Sequence, residues 1–363
     1  MLDNSKKSAI AFFSSTCVYL TLLRFAYFMS LEWMDRICPM HSSTEIKSKE
    51  SGTGTVMATA EKRSVEENGV KPNPANPGGA SLEITEKPPS RVSPYFPLEY
   101  EPKEIQKITK EGILLAGGAV AILLQVANPG VGQGVNEHSN FAYRVADRLR
   151  TTMTYIYTIA FGTPNEKKAI VDMVHRAHAS VNGPNYDAND PDLQLWVAAT
   201  LYAAGVGIYE KIFGSLDAET SEKVYAEYSV LATALRVPAG KWPADRRSFW
   251  AYWDDKIETM EVTSHAISVS KDLLWPKKAP IWIKANMPAV RVLTAEWLPP
   301  RFREAYGLKT SKSRRRVYRA LMGITKGIYP HLPMFIRTAP RNYYMKDMRK
   351  RMQGVVYGKV NAG

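Results

Sequence analysis

The chain has 363 residues, of which 45% are hydrophobic and 23% charged, so it is long and apolar enough for a large globular domain with additions. Its net charge of +13 indicates an anionic partner: nucleic acid, a membrane surface or an anionic ligand. Zinc-finger spacing and a basic recognition helix are both missing from the sequence, so we expect no nucleic-acid partner. Two cysteines, Cys17 and Cys38, both precede the predicted folded region, which excludes a disulfide framework and a cysteine-ligated metal site there.

The first predicted element is an apolar segment, residues 9–30, which has the length that a bilayer-spanning helix needs. It follows two lysines and is interrupted by Arg24. We interpret residues 1–40 as an N-terminal region with a single-pass membrane anchor; a cleavable signal peptide and an interfacial helix are the alternatives. Residues 41–94 are rich in Ser, Thr, Lys, Glu, Pro and Gly, a composition that predicts a disordered linker.

The segment Gly112–Leu124 is apolar on every side, which predicts a helix in the interior of a domain. Its small residues Gly117 and Gly118 allow another backbone or a flat ligand to approach closely. The glycine-rich residues 125–139 lack both the spacing and the preceding strand of a dinucleotide-binding loop. We therefore expect no nucleotide at that stretch.

A helix is predicted over Phe141–Phe161, followed by a break at Gly162 and Thr163. Arg148 and Thr152 lie four residues apart, and therefore on one helical face. A guanidinium can clamp a carboxylate or phosphate with two parallel hydrogen bonds, and a threonine hydroxyl one turn later can extend that polar patch. The alternative is structural: an ion-paired arginine and a threonine bonded to its own helix.

Two of the six histidines, His175 and His178, lie in a predicted helix within residues 169–183. The hydrophobic stripe of this helix comprises Ile170, Met173, Val174, Ala177 and Val181. On a helical wheel His178 falls roughly 80° from the centre of the stripe and His175 roughly 140° from it. We predict that His178 reaches an interior ligand and that His175 points closer to solvent. From these residues alone, His178 is either a metal ligand or a partly buried histidine bonded to a carbonyl group.

The remaining segments up to residue 308 also show helical periodicity, and strand-like alternation is scarce, so we predict an all-α fold. A long helix begins at Asp190-Pro191, and its predicted inward stripe comprises Leu193, Trp196, Val197 and Thr200. Further amphipathic helices are predicted over Leu216–Ala234, Pro243–Asp255 and Thr263–Leu274.

Residues 309–363 carry much of the excess positive charge. Interleaved with the cations are Tyr329, Leu332, Met334, Phe335 and Ile336. This mixture favours a helical extension that docks on an anionic bilayer, while a merely solvated basic helix is the alternative for Ser311–Arg319.

Five sequence blocks occur in an order that resembles a known family. They read GGAVAILLQVANPGVGQGVNEHS, RLRTTMTYIYTIAFGT, HASVNG, YDANDPDLQLWVAATL and WLPPRFREAYGL. From about Gly112 to Leu308 their order and spacing resemble the family that includes the membrane-bound MpaB oxygenases of fungal secondary metabolism and the bacterial rubber oxygenases, or latex-clearing proteins.

The resemblance implies an all-α helical bundle with a globin-like core that binds one b-type haem. The family's HxxVxG motif falls on His178, Val181 and Gly183, which implies that His178 is the proximal iron ligand and the metal site. The RxxxT pattern falls on Arg148 and Thr152, which implies that both residues bind the haem and support catalysis. A guanidinium there would offset the charge of a haem propionate.

The chain departs from the family pattern at several positions. Many relatives have histidine where this chain has Asn128 and Ala198, although neither position is the HxxVxG ligand. The rubber enzymes also use a glutamate before the RxxxT helix, and here only Glu137 lies in that stretch. We therefore do not expect rubber as the substrate. The small residues Gly117 and Gly118 complete the predicted cofactor site.

Together these features predict a membrane-anchored, haem-b-dependent oxygenase of the fungal, endoplasmic-reticulum-bound branch, with residues 95–308 as the catalytic domain. The expected partners are dioxygen, the lipid membrane and an apolar secondary metabolite, derived from an isoprenoid or a polyketide, whose carbon–carbon double bond is cleaved. One alternative is a haem-dependent hydroxylase, dehydrogenase or peroxidase-like enzyme. The other is a non-enzymatic, membrane-tethered scaffold in which His178 is a core residue.

Overall fold

The computed structural model describes residues 96–138, 141–277, 279 and 281–360. The predicted anchor, the predicted linker and both cysteines lie outside the described residues. Within the described ranges the chain is almost entirely helical, and its strands are limited to one two-residue antiparallel pair. The predicted all-α class is confirmed.

The helices are α1 (Lys103–Thr109), α2 (Gly118–Ala127), α3 (Pro129–His138), α4 (Phe141–Phe161), α5 (Pro164–Ala179), α6 (Pro191–Phe213), α7 (Ala218–Tyr228), α8 (Val230–Thr233), α9 (Arg246–Thr259), α10 (Ser264–Leu274), α11 (Ile281–Trp297), α12 (Pro300–Ala305), α13 (Lys312–Ile328), α14 (Met334–Arg337) and α15 (Ala339–Val360). The strands are β1 (Asn182–Gly183) and β2 (Tyr186–Asp187). Short 3₁₀ helices occupy Gly112–Gly117, Ala239–Lys241 and Tyr329–His331.

Some predicted helix bounds agree with these elements, but α9 is shifted by three to four residues from the predicted Pro243–Asp255, and α5 ends before Val181 of its predicted stripe. Helix α4 has the predicted ends, and α10 begins one residue later than predicted. The predicted helix Leu216–Ala234 is divided into α7 and α8 at Ser229, whose hydroxyl donates to the Ala226 carbonyl at 2.6 Å. A serine side chain that bonds to the local backbone competes with the helical hydrogen bonds in this way.

Helices α4 and α5 form an antiparallel hairpin that turns at Gly162 and Thr163. Glycine is needed in the turn because a Cβ atom at Gly162 would lie 2.5 Å from the Thr158 carbonyl oxygen. Helix α5 begins with a capping box in which the Thr163 side chain accepts from the Glu166 N–H while the Glu166 carboxylate accepts from the Thr163 N–H. Because both helices rise about 1.5 Å per residue, residues equally distant from the turn lie opposite one another.

The apolar segment before α3 changes its helix type. The predicted helix Gly112–Leu124 starts as a 3₁₀ helix and becomes α-helical at Gly118. At the start of this segment the chain passes very close to α15, since a Cβ atom at Gly112 would lie 2.7 Å from the Pro340 ring. Gly117 and Gly118 mark the junction between the 3₁₀ helix and the α-helix, and glycines are common where a helix changes type or bends.

The glycine-rich stretch folds into helix α3, which packs against α2 and α10. Asn128 supports the start of this helix because its side-chain oxygen accepts from the Gly130 N–H at 3.0 Å. A Cβ atom at Gly132 would lie 2.5 Å from the Val126 carbonyl oxygen. The glycine at position 132 therefore permits close helix packing.

Helix α6 lies at the centre of the body and begins at Asp190-Pro191 as predicted, with the Asp190 side chain accepting from the Asp192 N–H. Trp196 and Thr200 are buried, in agreement with the predicted stripe. Leu193 and Val197 are only half-buried, so half of that predicted stripe is wrong. The reason is that α6 is surrounded by α1, α2, α7, α8 and α13 and buries residues on most of its sides.

The residues after Leu308 pack onto the same body. Helix α15 lies beside α4, where the Tyr344 ring stacks on the Tyr157 ring with 6.0 Å between centroids. Arg337 donates to both carboxylate oxygens of Glu111 at 2.6 and 2.9 Å. The Glu111 side chain is 1% exposed, and a charge at this depth is tolerated only when it is paired. The proposed domain boundary at residue 308 stays a prediction.

Among the described residues, no single helix combines the length and the apolar composition needed to cross a membrane. The helices Lys103–Thr109 and Gly112–Ala127 meet that criterion only as a pair, which is bent by 73°.

Candidate functional site

A cavity with a volume of about 90 Å³ lies between α2, α4 and α6. Its apolar wall includes Leu114, Ala121, Ile122, Met153, Ile156, Leu201 and Leu231. The polar side chains at its surface include Gln125, Arg148, Thr152 and Tyr228. A mostly apolar lining with a few polar groups is typical of a site for a largely apolar small molecule or cofactor.

Four of the predicted site residues, Gly117, Gly118, Arg148 and Thr152, line this one cavity. The two glycines differ in what they make room for. A Cβ atom at Gly117 would lie 1.9 Å from the Ile208 Cδ1 atom, so this glycine accommodates a neighbouring side chain. A Cβ atom at Gly118 would have only the Leu149 side chain nearby, at 3.8 Å, so this glycine leaves space in the cavity wall.

His178 lies beside the cavity rather than in its lining. Arg148 precedes Gly162 by 14 residues and His178 follows Thr163 by 15, so the two lie opposite one another across the α4–α5 hairpin. Their proximity is also electrostatic, because the positive charge of Arg148 contributes to lowering the pKa of His178. Burial in turn lowers the pKa of Arg148 itself. Arg148 therefore connects the cavity with the histidine.

The imidazole of His178 has the properties of a metal ligand. Burial, followed by the charges of His175 and Arg148, lowers the pKa of His178 from 6.5 to about 4. The ring is therefore neutral at physiological pH, which is the form that binds metals. Its Nδ1 atom is buried and has no hydrogen-bond partner in the described part of the chain. A carbonyl partner for Nδ1, the structural alternative for this residue, is not found there.

The predicted orientation of His175 is wrong. His175 is 6% exposed, and it is buried more deeply than the half-buried His178. Ala177, which the prediction placed in the hydrophobic stripe, is exposed. The buried residues of α5 are Lys167, Ile170, Val171, Val174 and His175. On the helical wheel their centre is rotated by roughly 70° from the predicted stripe, so both histidines lie on the inward side.

The buried face of α5 includes the charged residue Lys167. The Lys167 ammonium donates to the Tyr100 carbonyl oxygen at 2.5 Å, and the lysine is 1% exposed. Its aliphatic stem therefore belongs to the buried face although its type suggested the solvent side. Burial lowers the pKa of Lys167, while Glu101 and Glu99 act in the opposite direction.

The remaining residues of the HxxVxG motif support a hairpin after α5. Strands β1 and β2 pair Gly183 with Tyr186, and a Cβ atom at Gly183 would lie 2.7 Å from the Tyr186 ring. On another side of the ring, a Cβ atom at Gly134 would lie 3.2 Å away and 3.4 Å from Val181. Val181 and Gly183 thus allow the hairpin to pack directly on α3.

Hydrogen bonds secure the same contact. The Tyr186 hydroxyl donates to Glu137 at 2.7 Å and is bonded to His138 Nε2 at 2.7 Å. The hydrogen bonds from Tyr186 and Gln133 lower the pKa of Glu137. Glu137, the one glutamate of the glycine-rich stretch, therefore serves the hairpin and is not among the residues that line the cavity.

Tyr186 and Asp187 have roles that the motif did not reveal. The carboxylate of Asp187 opposes the other charges around His178 and raises its pKa, so β2 contributes to the electrostatics of the histidine. The sequence Gly183-Pro184-Asn185 is a turn signal that indicates a hairpin here. It does not reveal that the tyrosine ring covers the motif's glycine.

These residues fit a haem. In the described residues there is no group of three or more His, Cys, Asp or Glu side chains placed to hold a metal ion. A haem iron receives its other ligands from the porphyrin, so it requires only one neutral imidazole from the protein. His178 would supply that group and Arg148 would supply a cation for a propionate, and the adjacent wall is apolar.

A family model described as "ER-bound oxygenase mpaB/B'/Rubber oxygenase, catalytic domain" matches residues 105–327. The chain is also similar to two mycobacterial proteins, the uncharacterized protein Rv2237 of Mycobacterium tuberculosis and the uncharacterized protein Mb2261 of Mycobacterium bovis. Each is 32% identical over 248 residues, which cover 64% of this chain and 95% of the relative. No solved structure matches the chain at a significant level.

Proposed function

The chain belongs to the ER-bound oxygenase mpaB/B'/Rubber oxygenase family, and on that premise we propose that it is a membrane-bound, haem-dependent oxygenase of an apolar small molecule. Membership supports an oxygenase, and hence an oxidoreductase. One observation carries the rest of the proposal: Arg148, Thr152 and Gly118 line an apolar cavity next to the neutral imidazole of His178.

In this proposal His178 holds the iron through its neutral ring. When bound, the haem b would supply the activation of dioxygen. Arg148 offers a buried cation that would offset a propionate, and the Thr152 hydroxyl extends the same polar edge of the cavity. Gly118 leaves room in the wall for a flat ring. The surrounding leucine, isoleucine and methionine side chains exclude water from the reacting groups.

We propose an apolar substrate because the wall of the cavity is mostly aliphatic. An isoprenoid or a polyketide-derived secondary metabolite of the endoplasmic reticulum membrane would suit it, and it would reach the site by partitioning into the bilayer. Cleavage of a carbon–carbon double bond to carbonyl products is the proposed reaction. The rubber enzymes use a glutamate before the RxxxT helix, and the one glutamate of that stretch here, Glu137, is not among the residues that line the cavity, which supports a substrate other than rubber.

The decisive test is the optical spectrum of the full-length protein purified after expression with ample haem. We expect a Soret band in the native protein and its loss in His178→Ala. The matched control is His331→Ala, which removes an exposed histidine. His175→Ala is expected to keep the band per folded molecule, with folding checked by circular dichroism. A native protein without the band would contradict the proposal and support the scaffold alternative.

Two further measurements define the chemistry. Arg148→Ala is expected to weaken haem retention without unfolding the protein; unfolding at unchanged haem content per folded molecule would assign the arginine a structural role. Labelled dioxygen distinguishes the reactions. Cleavage by a dioxygenase should place label in both carbonyl products, whereas a hydroxylase would label a single hydroxyl group.

A further inference from the structure

Helix α13 carries a row of cations along its solvent face. Lys312, Arg316, Arg319 and Lys326 are all exposed, and on a helical wheel they fall within about 80° of one another. Met322 and Thr325, outside this row, are buried against the body. We call these four cations the basic face of α13.

Small residues lie between the four cations. Ala320, Gly323 and Gly327 are exposed on the same side of the helix, and a Cβ atom at either glycine would meet nothing within 4 Å. The surface between the cations is therefore low and open. A flat anionic surface can approach all four ammonium and guanidinium groups at once without meeting a bulky side chain.

An apolar tip follows the C-terminal end of this helix. Met334 is 49% exposed and Phe335 is 72% exposed, both in the short helix α14. The neighbouring Arg337 turns inward to Glu111 and fixes the base of the tip to the body. Large apolar side chains held in water on a rigid base are typical of a surface that is covered in use.

The charge around the tip is of one sign. Residues 305–346 contain ten lysines and arginines and no aspartate or glutamate. Two of these cations are offset from elsewhere in the chain, Arg315 by Glu296 at 3.8 Å and Arg337 by Glu111. Within the part of the chain that the structure describes, none of the four cations of the basic face forms an ion pair with a carboxylate. The field at this end of the molecule is therefore strongly positive.

We propose that the basic face of α13 and the tip Met334–Phe335 form a docking surface for an anionic lipid bilayer. The cations lie at the headgroups, and the tip enters the interfacial region. Charge complementarity supports the anionic headgroups, and the exposed methionine and phenylalanine favour lipid, because both side chains can insert into the interfacial region of a bilayer. The surface belongs to the body itself, so the proposal depends neither on the haem nor on the N-terminal anchor.

The test is a local probe on the full-length chain, with Cys17 and Cys38 changed to serine. An environment-sensitive fluorophore is attached at Phe335→Cys and, as the matched control, at Asp254→Cys on the exposed side of α9. Vesicles of phosphatidylcholine alone and with 30% phosphatidylserine, on the order of physiological anionic content, are then added. We expect a blue-shifted, several-fold stronger emission at position 335 with phosphatidylserine only, and no change at position 254.

Charge-reversal variants distinguish binding through the basic face of α13 from attraction by the net charge of the whole protein. The variant Arg316→Glu/Arg319→Glu/Lys326→Glu and the control Lys223→Glu/Arg247→Glu/Lys271→Glu both lower the net charge from +13 by 6, to +7. The first should weaken the response at position 335 about a hundredfold in lipid concentration, since each basic residue contributes about 1 kcal/mol at such a surface. The control should leave most of the response in place.

Several outcomes would overturn the proposal. They are an unchanged signal with both lipids, an equal rise with both lipids, or an equal loss in both triple variants. A rise caused by RNA, or by concentrating the protein without lipid, would assign the surface to nucleic acid or to a second copy of the chain. Co-sedimentation of the protein with both kinds of vesicle measures membrane binding through the predicted N-terminal anchor. That binding is therefore scored separately from the emission of the fluorophore.

Discussion

Replacing Gly183 by alanine tests the steric role of the HxxVxG glycine. The new Cβ atom would lie 2.7 and 2.9 Å from the Cε1 and Cζ atoms of Tyr186, whereas carbon atoms prefer separations of about 3.5–4.0 Å. The ring would have to move by roughly 1 Å, and Gly134 already lies close to it. Overpacking of this kind destabilises a protein by about 1–3 kcal/mol. That corresponds to a fall in Tm of roughly 2–10 °C for a body of this size.

The assay is urea and thermal unfolding followed by circular dichroism, with Gly240→Ala as the control. Nothing lies within 4 Å of a Cβ atom at Gly240, so this change should stay within about 0.5 kcal/mol. In Gly183→Ala/Tyr186→Ala the clash disappears, so the double variant should be less destabilised than the sum of the single variants. Additive effects, or a Gly183→Ala variant as stable as the control, would refute the steric explanation.

Three further predictions concern charge and space. In haem-free protein the folded state keeps His178 neutral down to a pH of about 4. The contribution of this histidine to the free energy of unfolding should therefore be fully present above pH 6.5 and fall by at most about 3 kcal/mol as the pH drops to 4. His178→Gln should remove this pH dependence from urea unfolding curves. Arg337→Met should lower the free energy of unfolding by about 3–5 kcal/mol, because the substitution leaves the buried Glu111 charge without its ion pair. Adding Glu111→Leu to the same chain should restore much of the lost free energy. Gly118→Ala should be neutral or stabilising by about 0.5–1 kcal/mol, while Gly117→Ala should be destabilising in the same thermal assay, because its Cβ atom meets a side chain at 1.9 Å.

Local signals in the sequence were sufficient for most helices. The break at Gly162 and Thr163 and the start at Asp190-Pro191 depend on caps and first-turn residues within four positions of one another. Such interactions are encoded in adjacent residues, so the pattern predicts them. The same holds for Arg148 and Thr152, whose common face follows from helical spacing, and both line the cavity.

The orientation of α5 could not be predicted in the same way. Its buried face includes the polar residues Lys167 and His175, and the Lys167 ammonium donates to a carbonyl oxygen 67 residues earlier in the chain. That partner is invisible in a local pattern. The outward prediction for His175 failed because a local pattern does not show which polar residues are buried, while His178 lies on the inward side of both the predicted stripe and the buried face.

Contacts between distant residues account for the rest of what was missed. Glu111 and Arg337 are 226 residues apart, and Glu137 reaches Tyr186 across 49 residues. A single sequence contains no periodicity that links such pairs. The motif identified His178 and Gly183, but the tyrosine that explains the glycine was evident only from the packing of the hairpin on α3.

The Glu111–Arg337 pair bears on where this protein can be cut. The region shared with the family ends at residue 327, yet the guanidinium that neutralises Glu111 lies ten residues beyond it. A fragment that stops at the end of the shared region would retain an interior carboxylate without its counter-ion. The segment that the family model matches is thus shorter than the packed body, and an expression boundary should be chosen after α15, because the Tyr344 ring of that helix also stacks on Tyr157.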